Sequence, residues 1–179
     1  MPKISKDSIF QSIEQQTGIN LGKFNRSQIV EYQGKKGLEQ ITWNSTKAVD
    51  ILRVFEVANM DAFLDYKTCE RIRAEFVRQK LKSSRQLTNL KKIPAWTNVS
   101  EFVGIWECRY LDPSEIKTQM EIMLYNDIVA MYQYQRKNIF CLEIHDQDLS
   151  DTLKQFYDYI WNRSQQMTLL NPHGAVELL

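Results

Sequence analysis

The sequence feature that most constrains the fold is a pair of β-rich segments joined by two polar residues. Residues 120–125 and 128–134 flank Asn126 and Asp127. Both connecting residues tolerate a positive φ, which a two-residue β-hairpin requires. A third β-rich segment, residues 139–144, follows a short polar stretch. The sequence therefore predicts a hairpin and a third strand in the second half of the chain.

Strand and helix patterns alternate in the first half of the chain. β-Branched and large apolar residues predict strands, whereas apolar residues recurring every three or four positions predict helices. The predicted strands outside the hairpin region are residues 29–32, 51–57, 87–90 and 106–111. The predicted helices are residues 6–16, 36–48, 61–82 (capped by Asp61), 99–103 and 148–167. This order predicts an α/β protein in which helices cover a single mixed sheet.

The helix at residues 148–167 is expected to close the core. Asp148, Ser150 and Asp151 supply caps and negative charge at its positive end. The side chains predicted on its buried side are Leu149, Leu153, Phe156, Tyr157, Ile160 and Trp161. Residues 171–179, which begin with an Asn-Pro-His-Gly turn, are predicted to be a frayed tail.

Composition excludes several classes of partner. The 23 basic and 22 acidic residues nearly cancel, so the chain as a whole is not an electrostatic binder of nucleic acid or anionic lipid. No apolar run approaches the roughly 18 residues of a membrane span, and no secretory signal follows Met1. We therefore expect a cytoplasmic protein without a membrane partner.

The cysteines and histidines do not form a metal motif. Cys69, Cys108 and Cys141 lie far apart in apolar stretches and include no CxxC pair. His145 and His173 are too few to complete a zinc cluster with them. The pattern is typical of reduced cysteines that pack as small apolar residues. No metal and no cofactor are expected.

The order and spacing of several segments carry a family resemblance. The segments are a glycine-punctuated run at residues 29–38, a strand at 51–57, a helix from Ala62, a strand at 106–111, a hairpin at 120–131 and a helix ending at 156–161. The arrangement resembles the C-terminal effector-binding domain of TrmB-type prokaryotic transcription regulators, which has the phospholipase-D-like fold. The resemblance covers about residues 28–167.

This resemblance implies a domain organisation and a function. Residues 1–27 would be an N-terminal helical extension, residues 28–170 a phospholipase-D-like sensor domain, and residues 171–179 a tail. The domain would be catalytically silent and would bind a small molecule or a DNA-binding partner protein, and a homodimer is compatible with it. The family's regulators carry a winged helix-turn-helix, for which about 28 residues are too few. The chain is expected to be the sensor half alone or a relative put to another use.

The hairpin departs from the catalytic motif of phospholipase-D-type enzymes, H-x-K-x4-D. In that motif the histidine attacks phosphorus and the lysine binds the phosphate charge. When the hairpin is laid on the motif, Gln119, Glu121 and Asn126 fall at the histidine, lysine and aspartate positions. Gln133 and Tyr134 lie where those enzymes have Gly-Ser. Glutamine is no nucleophile and glutamate would repel a phosphodiester, so no catalytic residue is expected.

These hairpin residues have two further interpretations. They are ordinary polar positions, or they recognise a ligand, because polar groups at this place in the sheet would point into the family's cleft. The resemblance thus implies four ligand-binding candidates: Gln119, Glu121, Asn126 and Tyr134.

Glu121 is the candidate with the sharpest physical argument. Strand alternation places it on one sheet face with Met123 and Tyr125. An unpaired carboxylate on such a face costs about a few kcal/mol. If Glu121 is structural, an arginine or lysine should pair with it. If it is held for a ligand, neutralising it should leave stability unchanged or higher, and we predict this second outcome.

Residues 71–92 are markedly basic, with Glu75 as the one acid among them. The basic residues are Arg71, Arg73, Arg78, Lys80, Lys82, Arg85, Lys91 and Lys92. We favour the solvated face of an amphipathic helix that runs into a loop. The alternative is a nucleic-acid contact through phosphates, for which the candidates are Arg78, Lys80, Lys82 and Arg85.

A third hypothesis is an enzyme that uses His145. This histidine precedes Asp146 at a predicted strand end, and a His–Asp pair suggests general-base chemistry. No motif places a serine or cysteine nucleophile beside it, so the favoured interpretation is a strand end followed by a helix cap.

Overall fold

The computed structural model describes residues 27–134 and 139–179. Its centre is an eight-stranded sheet of mixed direction, and a second, smaller sheet has three strands. The helix predicted at residues 6–16 lies outside the described residues. Among the described residues, no helix is long and apolar enough to cross a membrane.

The elements follow one another in a largely alternating order. The strands are β1 (Gln28–Gln33), β2 (Ile51–Glu56), β3 (Ser83–Thr88), β4 (Lys92–Ile93), β5 (Trp106–Tyr110), β6 (Glu121–Tyr125), β7 (Ile128–Gln133), β8 (Phe140–His145), β9 (Gln165–Gln166), β10 (Thr168–Leu169) and β11 (Val176–Glu177). The helices are α1 (Gly34–Asn44), α2 (Tyr66–Arg78), α3 (Ser100–Val103) and α4 (Gln147–Trp161). The large sheet has the order β1-β8-β7-β6-β2-β3-β5-β9, and the small sheet has the order β10-β11-β4.

Parallel and antiparallel pairing divide the large sheet. β2, β3 and β5 are parallel, because helical crossovers return the chain between them. β6, β7, β8 and β1 pair antiparallel. Asn126 and Asp127 join β6 to β7, and Asn126 has a φ of 46°, the positive value that the hairpin requires. The predicted mixed sheet covered by helices is therefore confirmed, with the small sheet as an addition.

Helix α2 begins one turn later than predicted. Its N-cap is Asp65, whose carboxylate accepts the backbone N–H of Thr68 at 3.0 Å. Asp61, the predicted cap, lies instead in a 3-10 turn at Met60–Ala62 and forms an ion pair with Arg73. The prediction that Asp61 caps the helix is wrong, because its carboxylate pairs with the buried guanidinium of Arg73 instead.

Strand β3 begins four residues before the predicted strand at residues 87–90. Its first half, Ser-Ser-Arg-Gln, is polar and has low strand propensity. It is a strand because β2 and β5 pair with it on both sides and satisfy its backbone groups. Tertiary pairing thus overrides the local sequence.

The two faces of the large sheet bury separate cores. Under α4, Leu87, Leu124 and Val129 pack against Tyr157 and Trp161. The opposite face, which we call the inner face, lies under α1, α2 and α3. Its larger core includes Leu38, Ile41, Ile72, Phe76, Phe102, Trp106, Met123 and Tyr132.

Helix α4 turns a narrower apolar face to the sheet than predicted. Tyr157 and Trp161 are buried, and their rings stack with centroids 6.0 Å apart. Phe156 is 61% exposed and Leu149 also faces solvent, so the prediction that both are buried is wrong. Adjacent helical residues are about 100° apart, which turns Phe156 away from the face that holds Tyr157. The helix ends at Trp161 rather than near residue 167, because the chain continues as β9 against β5.

The C-terminal residues belong to the fold, and the prediction of a frayed tail is wrong. β11 pairs with β10 and β4, and Val176 lies opposite Ile93. Trp96 Nε1 donates to the carbonyl oxygen of Gly174 at 2.7 Å, and the Trp96 backbone N–H donates to the His173 carbonyl at 2.9 Å. The sequence carries no sign of this arrangement, because the strands have two residues each and β4, one of the two partners of β11, lies far earlier in the chain.

Replacing Gly174 by alanine should destabilise the protein by about 1–3 kcal/mol. Gly174 has a φ of 82°, and a Cβ atom there would overlap the Trp96 ring. Each kcal/mol should lower the melting temperature by roughly 2–4 °C. Gly104→Ala is the matched control, because Gly104 has a φ of −64° and its added Cβ would meet the Glu101 carbonyl at an ordinary 3.4 Å. Equal melting temperatures for the two variants would contradict the packing of the tail on Trp96.

Candidate functional site

A cavity of about 60 Å³ lies at the inner face of the large sheet. Its wall comes from strands β2, β3, β5, β6 and β7, from helices α1, α2 and α3, and from the residues that follow α1, β2 and β4. The polar residues that line it are Thr42, Ser45, Glu56, Asn59, Ser84 and Gln86. The aromatic residues that line it are Phe76, Trp96, Phe102, Trp106 and Tyr132. It has room for water or a slightly larger guest, since a water needs about 10–15 Å³ and benzene occupies an engineered cavity of about 150 Å³.

The polar wall is a chain of hydrogen bonds across three neighbouring strands. Glu56, the last residue of β2, accepts a hydrogen bond from Nε2 of Gln86 on β3. The Gln86 Oε1 atom accepts in turn from Nε1 of Trp106 on β5, at 2.8 Å. Because both ends of the Gln86 amide are engaged, its orientation is fixed. Glu56 is 9% exposed, so its charge lies in a largely water-free setting.

A second carboxyl group, that of Glu121, is buried beside Glu56. Its Oε1 atom accepts the backbone N–H groups of Val57 and Ala58 at 2.9 and 3.0 Å. Burial, followed by the neighbouring Glu56 charge, raises the pKa of Glu121 well above its ordinary value. Burial also raises the pKa of Glu56, although the positive charge of Arg73 opposes it. Within residues 27–134 and 139–179, the partners of Glu121 are thus backbone amides, not the arginine or lysine expected of a structural carboxylate.

Arg73 binds the two loops that line the cavity, one after β2 and one after β4. Its side chain is fully buried and donates to Glu70 Oε1 at 2.8 Å, to the Trp96 carbonyl at 2.9 Å and to Asn59 Oδ1 at 3.0 Å. It also forms an ion pair with Asp61 at 3.2 Å, and its guanidinium lies 4.6 Å from the centroid of the Trp96 ring. The interpretation of Arg73 as part of a solvated helix face is therefore wrong, because α2 turns it inward with Cys69, Ile72 and Phe76.

The region around the cavity has an excess of acidic groups. Glu56 and Glu121 lie in its wall and behind it, and Glu70 and Asp61 share the guanidinium of Arg73. Arg73 is the cation whose charge acts on Glu56. Among the described residues, no group of three or more His, Cys, Asp or Glu side chains is arranged to hold a metal ion. The charged groups in and behind the wall are therefore mostly acidic.

Aromatic rings form the other wall of the cavity. Trp96 and Trp106 meet edge to face with centroids 5.1 Å apart, and Phe102 lies 6.0 Å from Trp96. Phe76 stacks on Phe102 at 5.3 Å. Such a wall lowers the local dielectric and strengthens any electrostatic interaction inside the cavity.

A separate buried carboxylate, Glu143 on β8, is fully engaged. Its oxygens accept from the Tyr32 hydroxyl at 2.8 Å, from Asn44 Nδ2 at 3.0 Å and from the Tyr125 hydroxyl at 3.2 Å. His145 Nε2 lies 3.5 Å from Glu143 Oε2. This network joins β1, α1, β6 and β8, and its satisfied hydrogen bonds are those of a structural group.

His145 and Asp146 have different partners, so they do not form the pair that the enzyme hypothesis requires. Asp146 is the N-cap of α4, and its carboxylate accepts the Leu149 N–H at 2.8 Å. His145 faces Glu143 instead. The favoured interpretation of this pair, a strand end followed by a helix cap, is confirmed.

The structure does not bring the four ligand-binding candidates together. Glu121 contacts the cavity wall through Ala58. Gln119 is exposed in a groove with Ile122 and Gln133, away from the cavity. Asn126 is tied to the residues after α1, since its side chain accepts the Val49 N–H and donates to the Lys47 carbonyl. Tyr134 packs on Phe63 with ring centroids 4.6 Å apart. A ligand role for the four stays a prediction.

The four nucleic-acid candidates lie at the end of α2 and on β3. Arg78 and Lys82 are 70% and 74% exposed, but Arg78 pairs with Glu75 and Lys82 pairs with Asp50. Lys80 is exposed at a left-handed backbone position with a φ of 59°. Arg85 is half-buried, 3.8 Å from Asp158, with its guanidinium 5.5 Å from the Trp161 ring centroid. Acidic neighbours thus offset much of the basic character read from the sequence.

Sequence reasoning missed Glu56, Gln86 and Arg73. Glu56 interrupts the apolar run Ile51–Val57, and a charged residue inside a predicted buried strand is a usable signal. Arg73 recurs with Cys69 and Phe76 at helical spacing, which also points inward. Gln86 carried no such signal, because the strand predicted there began one residue after it.

Comparisons with known proteins bear on the fold. No family model and no curated protein sequence matches the chain. Among solved structures, TrmBL2, an archaeal chromatin protein with a novel mode of DNA binding, is similar with a TM-score of 0.55 at 11% identity over 89% of this chain. NucT from Helicobacter pylori has a TM-score of 0.54 at 6% identity, over 79% of this chain and 99% of its own. Nuc from Salmonella typhimurium, a phospholipase D family member, has a TM-score of 0.53 at 7% identity, over 79% and 98% of the two chains.

These likenesses show the phospholipase-D-like fold that the resemblance implied. The chain spans 62% of the length of TrmBL2. At such low identities the likeness concerns the fold alone, because one fold hosts many functions.

Replacing Glu121 by glutamine should raise the free energy of unfolding at neutral pH by about 0.5–2 kcal/mol, the usual size of a single stabilising substitution. Glutamine keeps an oxygen for the Val57 and Ala58 amides and removes the charge beside Glu56. The parent's stability should also fall with rising pH. A carboxyl whose pKa is raised by folding keeps a proton that the unfolded chain releases near pH 4.5, so its stabilisation is lost as the pH rises through the folded value.

Denaturant unfolding from about pH 5 to about pH 8 measures both effects. Carboxylates whose pKa is lowered, such as Asp50 and Glu75, titrate below this window and do not mask the trend. Glu39→Gln is the matched control, because Glu39 is exposed on α1 and its charge should matter little. A Glu121→Gln variant that is less stable than the parent throughout this range would show that the charge is structural.

Proposed function

We propose that this chain is a catalytically silent sensor domain that binds a small molecule in the inner-face cavity and acts with a DNA-binding partner protein. The observation that carries the proposal is the cavity itself, with fixed polar groups on one side and aromatic rings on the other. Ligand sites in proteins have this composition, in which apolar walls bury the ligand and a few polar groups orient it.

The energetics of the two buried acids support a binding role. Glu56 and Glu121 are held near each other in the core although neutral side chains of the same size would be more stable. Groups with strongly perturbed pKa values concentrate at functional sites. A ligand that interacts with Glu56 would recover part of the free energy that their burial costs.

Catalytic silence rests on the residues at the motif positions. Phosphodiester cleavage in this fold needs a histidine nucleophile and a lysine, and Gln119 and Glu121 occupy the matching positions in the sequence. The Glu121 carboxyl group moreover already accepts hydrogen bonds from two backbone amides. Structural neighbours include a phospholipase D family member, so the absence of hydrolysis needs a direct test.

A place in DNA-linked regulation is supported by the likeness to TrmBL2, an archaeal chromatin protein. A separate DNA-binding partner suits a chain whose charges nearly cancel. The alternative is direct contact with nucleic acid through Arg78, Lys80, Lys82 and Arg85. Strong retention on DNA at low salt that is lost on mutation of Lys80 and Lys82 would favour that alternative over the sensor.

A variant with a filled cavity should lose its response to small molecules. Ala58 is half-buried and lines the cavity, so Ala58→Leu should occupy the space a ligand needs. In a thermal-shift screen of amines, alcohols, carboxylates and sugars, a compound present at 100 times its Kd should stabilise the parent by about 2.7 kcal/mol. The matched control is Ala74→Leu, at an exposed position of α2. Equal responses of the parent and Ala58→Leu to every stabilising compound would place the ligand elsewhere.

The protein should not hydrolyse a chromogenic phosphodiester, with or without divalent metal. Turnover above the blank that persists in Gln155→Ala, an exposed glutamine on α4, but is abolished in Gln119→Ala would overturn catalytic silence. Steady-state absorbance assays on the purified parent and both variants provide the measurement.

A further inference from the structure

We propose that the cavity takes a small organic cation of the ammonium type, with Glu56 as its counter-charge. This inference rests on the proposed function, because it names the ligand class of the same cavity. Three independent features of the wall point to it: the direction of its hydrogen-bonding groups, its charge and its size.

Several polar groups in the wall present acceptor atoms to the cavity. The hydroxyls of Thr42 and Ser45 each donate to a backbone carbonyl at 2.7 Å, to Leu38 and Thr42 respectively. Their protons are therefore committed, and they present oxygen lone pairs to the cavity. The Gln86 side chain donates an N–H to Glu56, and its oxygen accepts the indole N–H of Trp106. A guest matched to this wall must bring donors of its own.

The Glu56 carboxylate has capacity that the described residues leave unused. It is more than nine-tenths buried and lines the cavity. Across residues 27–134 and 139–179, the amide of Gln86 is its hydrogen-bond donor, whereas a carboxylate has about four acceptor sites. A buried acceptor with free lone pairs favours a donor, and a charged donor most of all.

The charge around the cavity selects a cation. Four carboxyl groups lie in or behind its wall, and Arg73 forms ion pairs with two of them, Glu70 and Asp61. Even with both Glu56 and Glu121 protonated, these two carboxylates outnumber the one guanidinium, so the region keeps an excess of negative charge. An anion would be repelled, and a cation beside Glu56 would favour the ionised form of its carboxyl group, which then serves as the counter-charge.

The aromatic wall also suits a cation. Arg73 already lies over the Trp96 ring at 4.6 Å, which shows that this wall accepts a positive charge on a ring face. Trp106, Phe102 and Tyr132 bring further rings to the cavity. Ammonium groups bind to such rings through the ring quadrupole, and the attraction grows when water is excluded.

The size of the cavity limits the guest to a few heavy atoms. At about 60 Å³ it is well below the roughly 150 Å³ of a cavity that holds benzene. Methylammonium has two heavy atoms and three N–H donors, enough for Glu56 and the two hydroxyl oxygens. A sugar or nucleotide does not fit this volume.

The test uses methylammonium chloride as the probe, with methanol as its neutral isostere and sodium chloride as the control for ionic strength. Thermal shift and isothermal titration calorimetry on the parent should show stabilisation and binding for methylammonium, and neither for the two controls. Glu56→Gln keeps the shape of the side chain and removes its charge, so it should weaken methylammonium binding by about tenfold or more. Glu39→Gln, at an exposed position, should bind like the parent.

A second pair of variants keeps the test decisive if Glu56→Gln does not fold. Ser45→Ala removes a hydroxyl that lines the cavity, and Thr46→Val removes a hydroxyl that makes the same kind of bond, to the Trp43 carbonyl at 2.8 Å, without lining it. Both residues are buried in the turn after α1. Ser45→Ala should weaken methylammonium binding several-fold, and Thr46→Val should leave it unchanged.

The outcomes separate this inference from the proposed function. If methanol stabilises the parent as well as methylammonium does, or if Glu56→Gln folds and binds methylammonium like the parent, the cation class is wrong. If methylammonium fails while another compound stabilises the parent but not Ala58→Leu, the cavity remains a ligand site for a different class. If no compound distinguishes Ala58→Leu from the parent, both the ligand class and the proposed function fail.

Discussion

The architecture around the cavity depends on the burial of one guanidinium group. Arg73 is fully enclosed, and its donors join the loop after β2, the Glu70 carboxylate in its own helix and the carbonyl of Trp96. Trp96 in turn holds the C-terminal residues through Gly174. Removing one partner of such a buried charge costs about 3–5 kcal/mol, because the other is left uncompensated. The loop wall, the aromatic wall and the C-terminal residues are therefore coupled through a single side chain.

The same guanidinium acts on the acidic pair without cancelling the effect of burial. Its charge lowers the pKa of Glu56, but burial has the larger effect, and Glu121 lies beyond its direct hydrogen bonds. The result is an acid pair that holds its protons more tightly than exposed glutamates do, next to a cavity where the hydroxyl oxygens of Thr42 and Ser45 are acceptors. Stability alone would favour two neutral residues here. A ligand that supplies positive charge gives a physical reason for keeping both.

The parts of this structure that the sequence predicted are those whose causes are local. The hairpin follows from two turn residues between β-rich segments, and Asn126 has the positive φ that it requires. The start of β3 could not be predicted, since its first four residues are polar and form a strand only because β2 and β5 flank them. The C-terminal strands were missed for the same reason. In the site, Glu121 was found because alternation places a carboxylate on an apolar face, whereas its neighbour Glu56 was passed over inside an apolar run.

The two buried sites at Glu143 and Glu56 differ in how fully the carboxyl group is hydrogen-bonded, and this difference distinguishes a structural group from one available to a ligand. Glu143 receives hydrogen bonds from Tyr32, Asn44 and Tyr125, which come from three different elements, and its charge is thereby compensated by groups fixed in the fold. Glu56 lies at the edge of a cavity, and the described residues give it one amide donor. Both carboxylates are costly to bury, yet only the first is satisfied from within the described chain. The unsatisfied one faces an acceptor-lined space of about 60 Å³, and this combination makes the inner face the place to look for a ligand.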